Sequence, residues 1–481
     1  MLDLVADLAS SGGRESSYVD VRWVTRRLEH LTVSGGRIER VLSQEDEGLG
    51  VRVAARSGGF GFAATRDTSR RGGLAALRRA TAIAAAQPTA ALRPLAPVIP
   101  AHGTWSSRCE IDPFSQSIET RLELLLAAEA LLRGDPRIVR SRAESLAVRT
   151  RKAFASSDGT AVTQELTECG GGIEAHAAGG DDVQIRSYPS AHGGNVAAAG
   201  YEHLLGLDLV GNAPRVAQEA VALLTAPECP AGTRTLVLGD EQVALQVHES
   251  IGHALELDRI QLGEASYAGT SWVSPADIGR LRYGSDDLQI TADATLPGGL
   301  GSFGWDDEGV AGRRTPLIES GILRATLSDR TSAADLGLTA SGGCARADGF
   351  SRQPIVRMTN VSIEPGRAGT LAELIGDVDD GVYMETNRSW SIDDRRLHFQ
   401  FATELGREIR NGELGRLVKN PSYAGITPGF WGSLDGVCSD SEWRVWGLLH
   451  CGKGEPGQVA HVSHGAAPAR FRGVQVGVAR G

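Results

Sequence analysis

The sequence predicts an α+β protein in which an N-terminal α/β domain of antiparallel hairpins and helices precedes a C-terminal β-rich, barrel-like domain. Three observations carry this expectation. Glycine-turn hairpins follow one another between residues 18 and 65, alanine- and leucine-rich stretches interrupt the first half, and short glycine-punctuated strand runs dominate after residue 233. At 481 residues the chain has room for more than one core, since a single hydrophobic core seldom grows past about 250 to 300 residues. The break at "APECPAGTR" divides it into domains 1–228 and 229–481.

In the first domain, "YVDVRWV", "EHLTVSGGRIERVLS" and "GVRVAARSGGFGFAAT" read as consecutive strands that turn at Ser34-Gly35-Gly36 and Ser57-Gly58-Gly59. An alanine-rich helix is expected from Leu74 to Gln87, followed by a Pro-rich crossing near 88–100. A second helix occupies 118–132 and stops at Arg133-Gly134-Asp135-Pro136. A long hairpin turning at Asp158-Gly159 and a helix over 214–225 complete the domain. The second domain opens with the apolar strand "TRTLVLGD" at 233–240, with Asp240 as the expected N-cap of the next helix. Runs such as "RLHFQFATELGREIRNGELGRLV" then suggest a barrel.

Hydrophobic residues make up 41% and charged residues 22%, which fits a globular chain. A net charge of -10 argues against a nucleic-acid surface, because phosphate binding needs clustered Lys and Arg. Six cysteines without a C-x-x-C pair fit isolated thiols in a reducing compartment. The opening "MLDLVADLASSGG" lacks a basic head followed by an apolar run, and no stretch reaches the ~18 apolar residues of a membrane span, so a cytoplasmic protein without membrane contact is expected. Two glycine motifs are decoys. "GLGSFG" (299–304) lacks a strand–loop–helix frame, and "GLLHCGKG" (447–454) has Gly454 where a nucleotide site needs Ser or Thr. The echo of "EDEG" (45–48) in "DDEG" (306–309) leads to the expectation of an acidic turn at each.

"HESIGHALELD" (248–258) carries the chemistry, for it opens H-E-x-x-x-H, one residue longer than the H-E-x-x-H of zinc proteases. Histidines four apart on a regular helix lie ~40° from each other, but five apart they lie ~140° apart and ~7.5 Å along the axis. A shared ion therefore requires a π-bulge, or a chain that leaves helical geometry at Gly252. Glu249, beside the first histidine, is placed to take a proton from water without occupying the metal. A catalytic site needs a third donor, and His450, Cys451, His461 and His464 cluster near the end. Glu256, Asp258, Asp306 and Asp307 are the carboxylates that could orient the histidines. Arg352 and Arg357 in "FSRQPIVRMTN" could brace a loop or bind a substrate carboxylate.

Taken with "GWDDEGV", "GGCARADGFSRQPIVRMTN", "CGKGEPGQ" and the N-terminal "YVDVRW" and "EDEGLGVRVAARSGGFGFAAT", this motif resembles the TldD/PmbA family of metalloproteases, in its metal-bearing TldD-type form. The resemblance runs collinearly over nearly the whole chain. It implies Zn²⁺ held by His248, His253 and Cys451, with Glu249 as catalytic glutamate. It further implies unfolded or small modified peptides as substrates. It also implies a dimer, formed with a second copy or with a homologous subunit that lacks the metal motif. The terminal segment departs from the pattern by a loop two residues longer after Lys453, and His450 competes with Cys451 as third donor. Two alternatives share the residues: a non-catalytic partner-binding subunit of a protease complex, and a zinc hydrolase acting on non-peptide amides.

Overall fold

The computed structural model describes residues 1–13, 16–87, 94–263, 269–454 and 456–479. The first six residues of the expected Pro-rich crossing, and Glu455 in the terminal loop, lie outside them. The chain begins with α1 (Leu2–Ser10), β1 (Ser16–Ser34), β2 (Arg37–Ala55), β3 (Phe60–Thr65) and α2 (Arg70–Ala86). The two runs expected as separate strands, "YVDVRWV" and "EHLTVS", form the single strand β1. Thr25 pairs with Glu47 on one side and Arg151 on the other, so no turn has room to form between them. Gly35 and Gly36 turn the first hairpin with φ of 59° and 73°, a left-handed region that glycine enters without steric penalty.

β4 (His102–Ser106), α3 (Ile118–Leu132), β5 (Ile138–Ser156), β6 (Ala161–Gly179), β7 (Asp182–Tyr188) and β8 (Asn195–Ala197) follow, then α4 (Tyr201–Gly206) and α5 (Leu209–Leu223). The strands make one eight-stranded sheet, β3-β2-β1-β5-β6-β4, with β7 and β8 also paired to β6. α1 and α2 bury Leu8, Ala76 and Ala80 against Val19 and Val21, whereas α3 and α5 bury Leu125 and Val216 with Leu31 and Val33. One long strand thus serves two cores. α2 starts four residues before the expected Leu74 because Ser69 caps it, accepting from the Gly72 N–H. α5 likewise starts before 214, where Asp208 captures the Gly211 N–H, although Pro214 then lies inside the helix without a donor.

The second half contains β9 (Gly232–Leu238), α6 (Asp240–Val247), α7 (Leu257–Ile260), β10 (Ile290–Asp293), β11 (Arg314–Glu319), β12 (Ile322–Leu323), β13 (Ala345–Arg346), β14 (Ile355–Val356) and β15 (Val361–Ile363). β16 (Asp380–Ile392), β17 (His398–Arg410), β18 (Glu413–Val418), β19 (Pro421–Ile426), β20 (Leu434–Val437), β21 (Arg444–Lys453), β22 (Gln458–Ala466) and β23 (Ala469–Val478) complete it. β16, β9, β23, β19 and β17 pair in that order, and β17 pairs back to β16, closing a five-stranded barrel. A ring of five cannot be antiparallel throughout, and the odd pair is β9 with β16, which run parallel. Phe401, Tyr423, Phe430 and Phe471 stack within this half. α6 is tied to the barrel through Tyr423, whose hydroxyl accepts from Gln242 Nε2 at 2.8 Å and donates to Gln246 at 3.0 Å. All six cysteines are free thiols, and no described helix is long and apolar enough to cross a membrane.

Candidate metal centre

α6 inherits its direction from β9. Gly239, not Asp240, is the N-cap, and a Cβ there would stand 2.9 Å from the Tyr383 hydroxyl. After Val247 the helix widens into a π-helical turn, His248–Gly252, in which the His253 N–H reaches back five residues to the His248 carbonyl. This is one of the two distortions that the H-E-x-x-x-H spacing demands, and it absorbs the surplus residue. The imidazole centroids of His248 and His253 lie 4.6 Å apart at 79°. Gly252 itself stays right-handed at φ −52°, so the chain does not leave helical geometry there. Glycine is needed at 252 for another reason: a Cβ would stand 2.1 Å from Met358 Sδ.

Cys451 arrives on the β21–β22 hairpin, where it pairs with Ala460 and places Sγ 3.7 Å from His253 Nε2. The donor atoms of His248, His253 and Cys451 all lie within 4.8 Å of one another, and all three residues are buried. Zinc bonds of about 2.0 to 2.3 Å in a tetrahedron hold donors roughly 3.3 to 3.8 Å apart, so this set is close to the spacing an ion requires. The other terminal candidates go elsewhere. His450 is exposed and stands outside the three-donor cluster, although it borders the same cavity. His461 pairs with Glu168 through Nδ1 at 2.7 Å. His464 is buried behind His248, its Nε2 2.8 Å from His248 Nδ1.

Hydrogen bonds fix the protons. The Val361 carbonyl can only accept, so His464 Nδ1 donates to it at 2.6 Å, and the neutral His464 Nε2 accepts from His248 Nδ1. His248 Nε2 is left with a lone pair. Glu256 Oε2 accepts from His253 Nδ1 at 3.2 Å, which frees His253 Nε2 in the same way. Glu256 is in turn held by Arg259 and, at 3.3 Å, by Lys453, which also donates to Asp258 at 2.8 Å. Burial holds both histidines below their ordinary value, His248 at about 4, so they are neutral imidazoles at pH 7. Burial pushes the Cys451 thiol up, but Arg357 and His253 outweigh it and bring the thiol down to about 7. Two neutral imidazoles and a readily ionised thiol form a donor set that Zn²⁺ takes.

Glu249 borders a cavity of about 240 Å³ that is also lined by His192, Glu241, Trp390, Arg396 and Trp446. Arg396 donates to Glu249 Oε2 at 2.9 Å. Its backbone is left-handed, at φ 62°, and its carbonyl is pinned by the Thr427 hydroxyl at 2.7 Å. The β16–β17 turn therefore delivers a charged group to the putting-down point of the π turn from 147 residues away. No local pattern in the sequence announces that contact.

Of the carboxylates expected to orient histidines, only Glu256 touches one. Asp258 serves Lys453. Asp306 accepts the N–H groups of Glu308, Val310 and Ala345, and burial together with Glu308 pushes its carboxyl up to about 8. Asp307 pairs with Lys152 at 3.0 Å. "DDEG" thus clamps the halves of the molecule together, with Glu308 binding Arg52 at 2.7 Å. Arg357 braces the hairpin by donating to the Cys451 and Gln458 carbonyls. Arg352 contacts the Gly457 carbonyl at 3.4 Å.

A closed barrel with a buried His-His-Cys cluster beside a glutamate defines a protein whose donors could hold a metal ion. Three family models match the chain: the PmbA/TldA metallopeptidase domain 1 at 19–86, the central domain at 111–226 and the C-terminal domain at 231–478. A curated metalloprotease from Methanothermobacter thermautotrophicus is 31% identical over 463 residues, which cover 96% of this chain and 95% of that one. A protein named zinc metalloprotease TldD homolog from Saccharolobus solfataricus is 28% identical over 248 residues, 51% of this chain and 52% of its own. The crystal structure of TldE from Thermococcus kodakarensis superposes with a TM-score of 0.74 at 16% identity, covering 98% of this chain and 99% of that one, a likeness of fold. The chain belongs to the PmbA/TldD family of metallopeptidases.

Proposed function

We propose that the protein is a zinc-dependent peptidase acting on unfolded or small modified peptides, with His248, His253 and Cys451 holding the ion and Glu249 acting as general base. The observation that carries this reading is the convergence within 4.8 Å of three donor atoms from two segments, His253 and Cys451 being 198 residues apart, beside a glutamate that opens onto a cavity. Zinc held there would supply Lewis acidity to a peptide carbonyl and to a water molecule. Glu249 would accept the proton of that water and return it to the leaving amine, a role worth typically 10²- to 10⁴-fold in rate. Arg396, fixed on its turn, holds one carboxylate oxygen of Glu249 in place. β21 pairs with β22 along one edge and borders the cavity with Trp446 to Gly452, which supports binding of an extended peptide by strand addition.

We further propose a cytoplasmic enzyme, divided at 228/229, that works as a dimer with itself or with a metal-free homologous subunit. The fold likeness to TldE supports such a partner. The test compares wild type with Glu249→Ala, alone and mixed with the partner subunit, by metal analysis and by mass spectrometry of an unfolded peptide substrate. Both proteins should carry equal zinc, with cleavage reduced at least about 100-fold in the variant. Undiminished turnover in Glu249→Ala would remove the base assignment.

A further inference from the structure

Glu241 lines the same cavity as Glu249, seven residues before His248. Over a regular helix that separation is about 10 Å along the axis with only ~20° of rotation, so the two side chains share a face. Its carboxylate is poorly satisfied. Oε1 receives one long contact of 3.5 Å from the Asn387 N–H, and Oε2 is buried with no hydrogen-bond partner among the described residues. A buried carboxylate in that state loses the full desolvation energy of an unpaired group unless a proton or a cation compensates it.

The surrounding charges do not supply the cation. Arg186 is engaged by Glu219 at 3.0 Å, Glu385 at 2.8 Å and Glu404 at 3.4 Å, and no described residue forms an ion pair with Glu241. Burial and the neighbouring Glu404 push the Glu241 carboxyl up to about 8, so it holds a proton at neutral pH. The rest of the lining pairs apolar surface from Ala244, Leu245, Trp390, Trp446 and Leu448 with His192 and the Glu249–Arg396 ion pair. The cavity therefore has at one end an unpaired carboxyl that becomes anionic on losing its proton, with the metal donors at the other.

We infer that Glu241 anchors an ammonium group of the peptide, supplied by its N-terminus or by a lysine side chain, and is a specificity-determining residue of the cavity. The inference rests on the peptidase reading only in taking the ligand to be a peptide. On binding, the carboxyl gives up its proton to solvent and forms a charge-assisted hydrogen bond to the ammonium. Because extended chain advances ~3.3 Å per residue, an N-terminal ammonium at Glu241 lies about three residues from the metal donors.

The test is calorimetric binding of hexapeptides to the metal-loaded Glu249→Ala protein, so that bound peptide stays intact. One peptide has a free N-terminus and no lysine, a second is N-acetylated without lysine, and others are N-acetylated with a single lysine placed at each position. An ammonium-bearing peptide should bind at least about 10-fold tighter than the acetylated lysine-free one, and adding Glu241→Gln should erase that preference while leaving the acetylated peptide within twofold. Preference confined to the free N-terminus or to lysine identifies the source of the ammonium. No preference, no binding, or a preference that survives Glu241→Gln overturns the anchor. Should Glu241→Gln fail to fold, Glu241→Met replaces it, and the preference of the parent protein is a test in its own right. Peptides that bind with the expected preference but are never cleaved by the wild-type protein would overturn the peptidase reading and leave the anchor standing.

Discussion

A carbonyl oxygen can only accept a hydrogen bond, and at Val361 that rule sets the tautomers of two histidines in series. His464 donates to Val361 and accepts from His248, so the backbone of β15 decides which nitrogen of His248 presents its lone pair. Replacing His464 with alanine should lower zinc affinity ~10- to 100-fold, as removal of such orienting partners does. Competition against a chromophoric chelator measures it, and unchanged affinity would show that His248 is oriented by packing alone. The opposite side of the cluster depends on Glu256, which two buried cations hold against His253. A buried carboxylate so heavily paired stays ionised, and its charge keeps the His253 proton on Nδ1.

At the scale of elements, two secondary-structure irregularities build the centre. The π turn brings the histidines together, and its last residue must be glycine because Met358 occupies the space a side chain would need. Gly252→Ala should destabilise the protein by about 1 to 3 kcal/mol, since overpacking outweighs the up to ~1 kcal/mol that alanine gains over glycine in a helix. Adding Met358→Ala should recover part of that loss, so thermal melts of the single and double variants form the check. A Gly252→Ala protein that melts with wild type would dismiss the contact as the reason for glycine. The second irregularity is the register shift in the β21–β22 hairpin between Leu448 and Cys451. Lys453, fully buried beyond it, fastens the hairpin to the acids that follow the π turn.

At the scale of the molecule, the eight-stranded sheet and the barrel are joined by buried polar groups. Glu404 of β17 accepts from the Ser187 N–H and hydroxyl of β7, both at 2.7 Å. Burial pushes its carboxyl from the usual 4.5 up to about 7, against the opposing pull of Arg186 and Ser187. The folded state then binds this proton more tightly than the unfolded chain, so the stability it contributes is complete below pH about 4.5 and is lost as pH rises through about 7. Wild type should accordingly lose stability relative to Glu404→Gln across that window. Melting temperatures of the two proteins at a series of pH values test this, and parallel curves would contradict it.

Much of the fold was legible because its signals are local. Gly35-Gly36 and Asp158-Gly159 announce hairpins, Ser117 caps α3 where a helix was expected, and the strand-rich second half follows from its glycine punctuation. Element ends were less so, since Ser69 and Asp208 start their helices ahead of the apolar pattern by capturing backbone N–H groups. The single strand β1 escaped because a strand held on both edges needs no turn residue to be absent or present. By itself the sequence determined that His248, Glu249 and His253 share one segment, and that a regular helix could not bring its histidines together. Only the tertiary structure decided that Cys451 rather than His450 faces them, that His464 stands behind His248, and that Arg396 meets Glu249. Side-chain periodicity acts over a few residues along one element, whereas these contacts bridge 147 to 216 residues and depend on strand register and barrel closure.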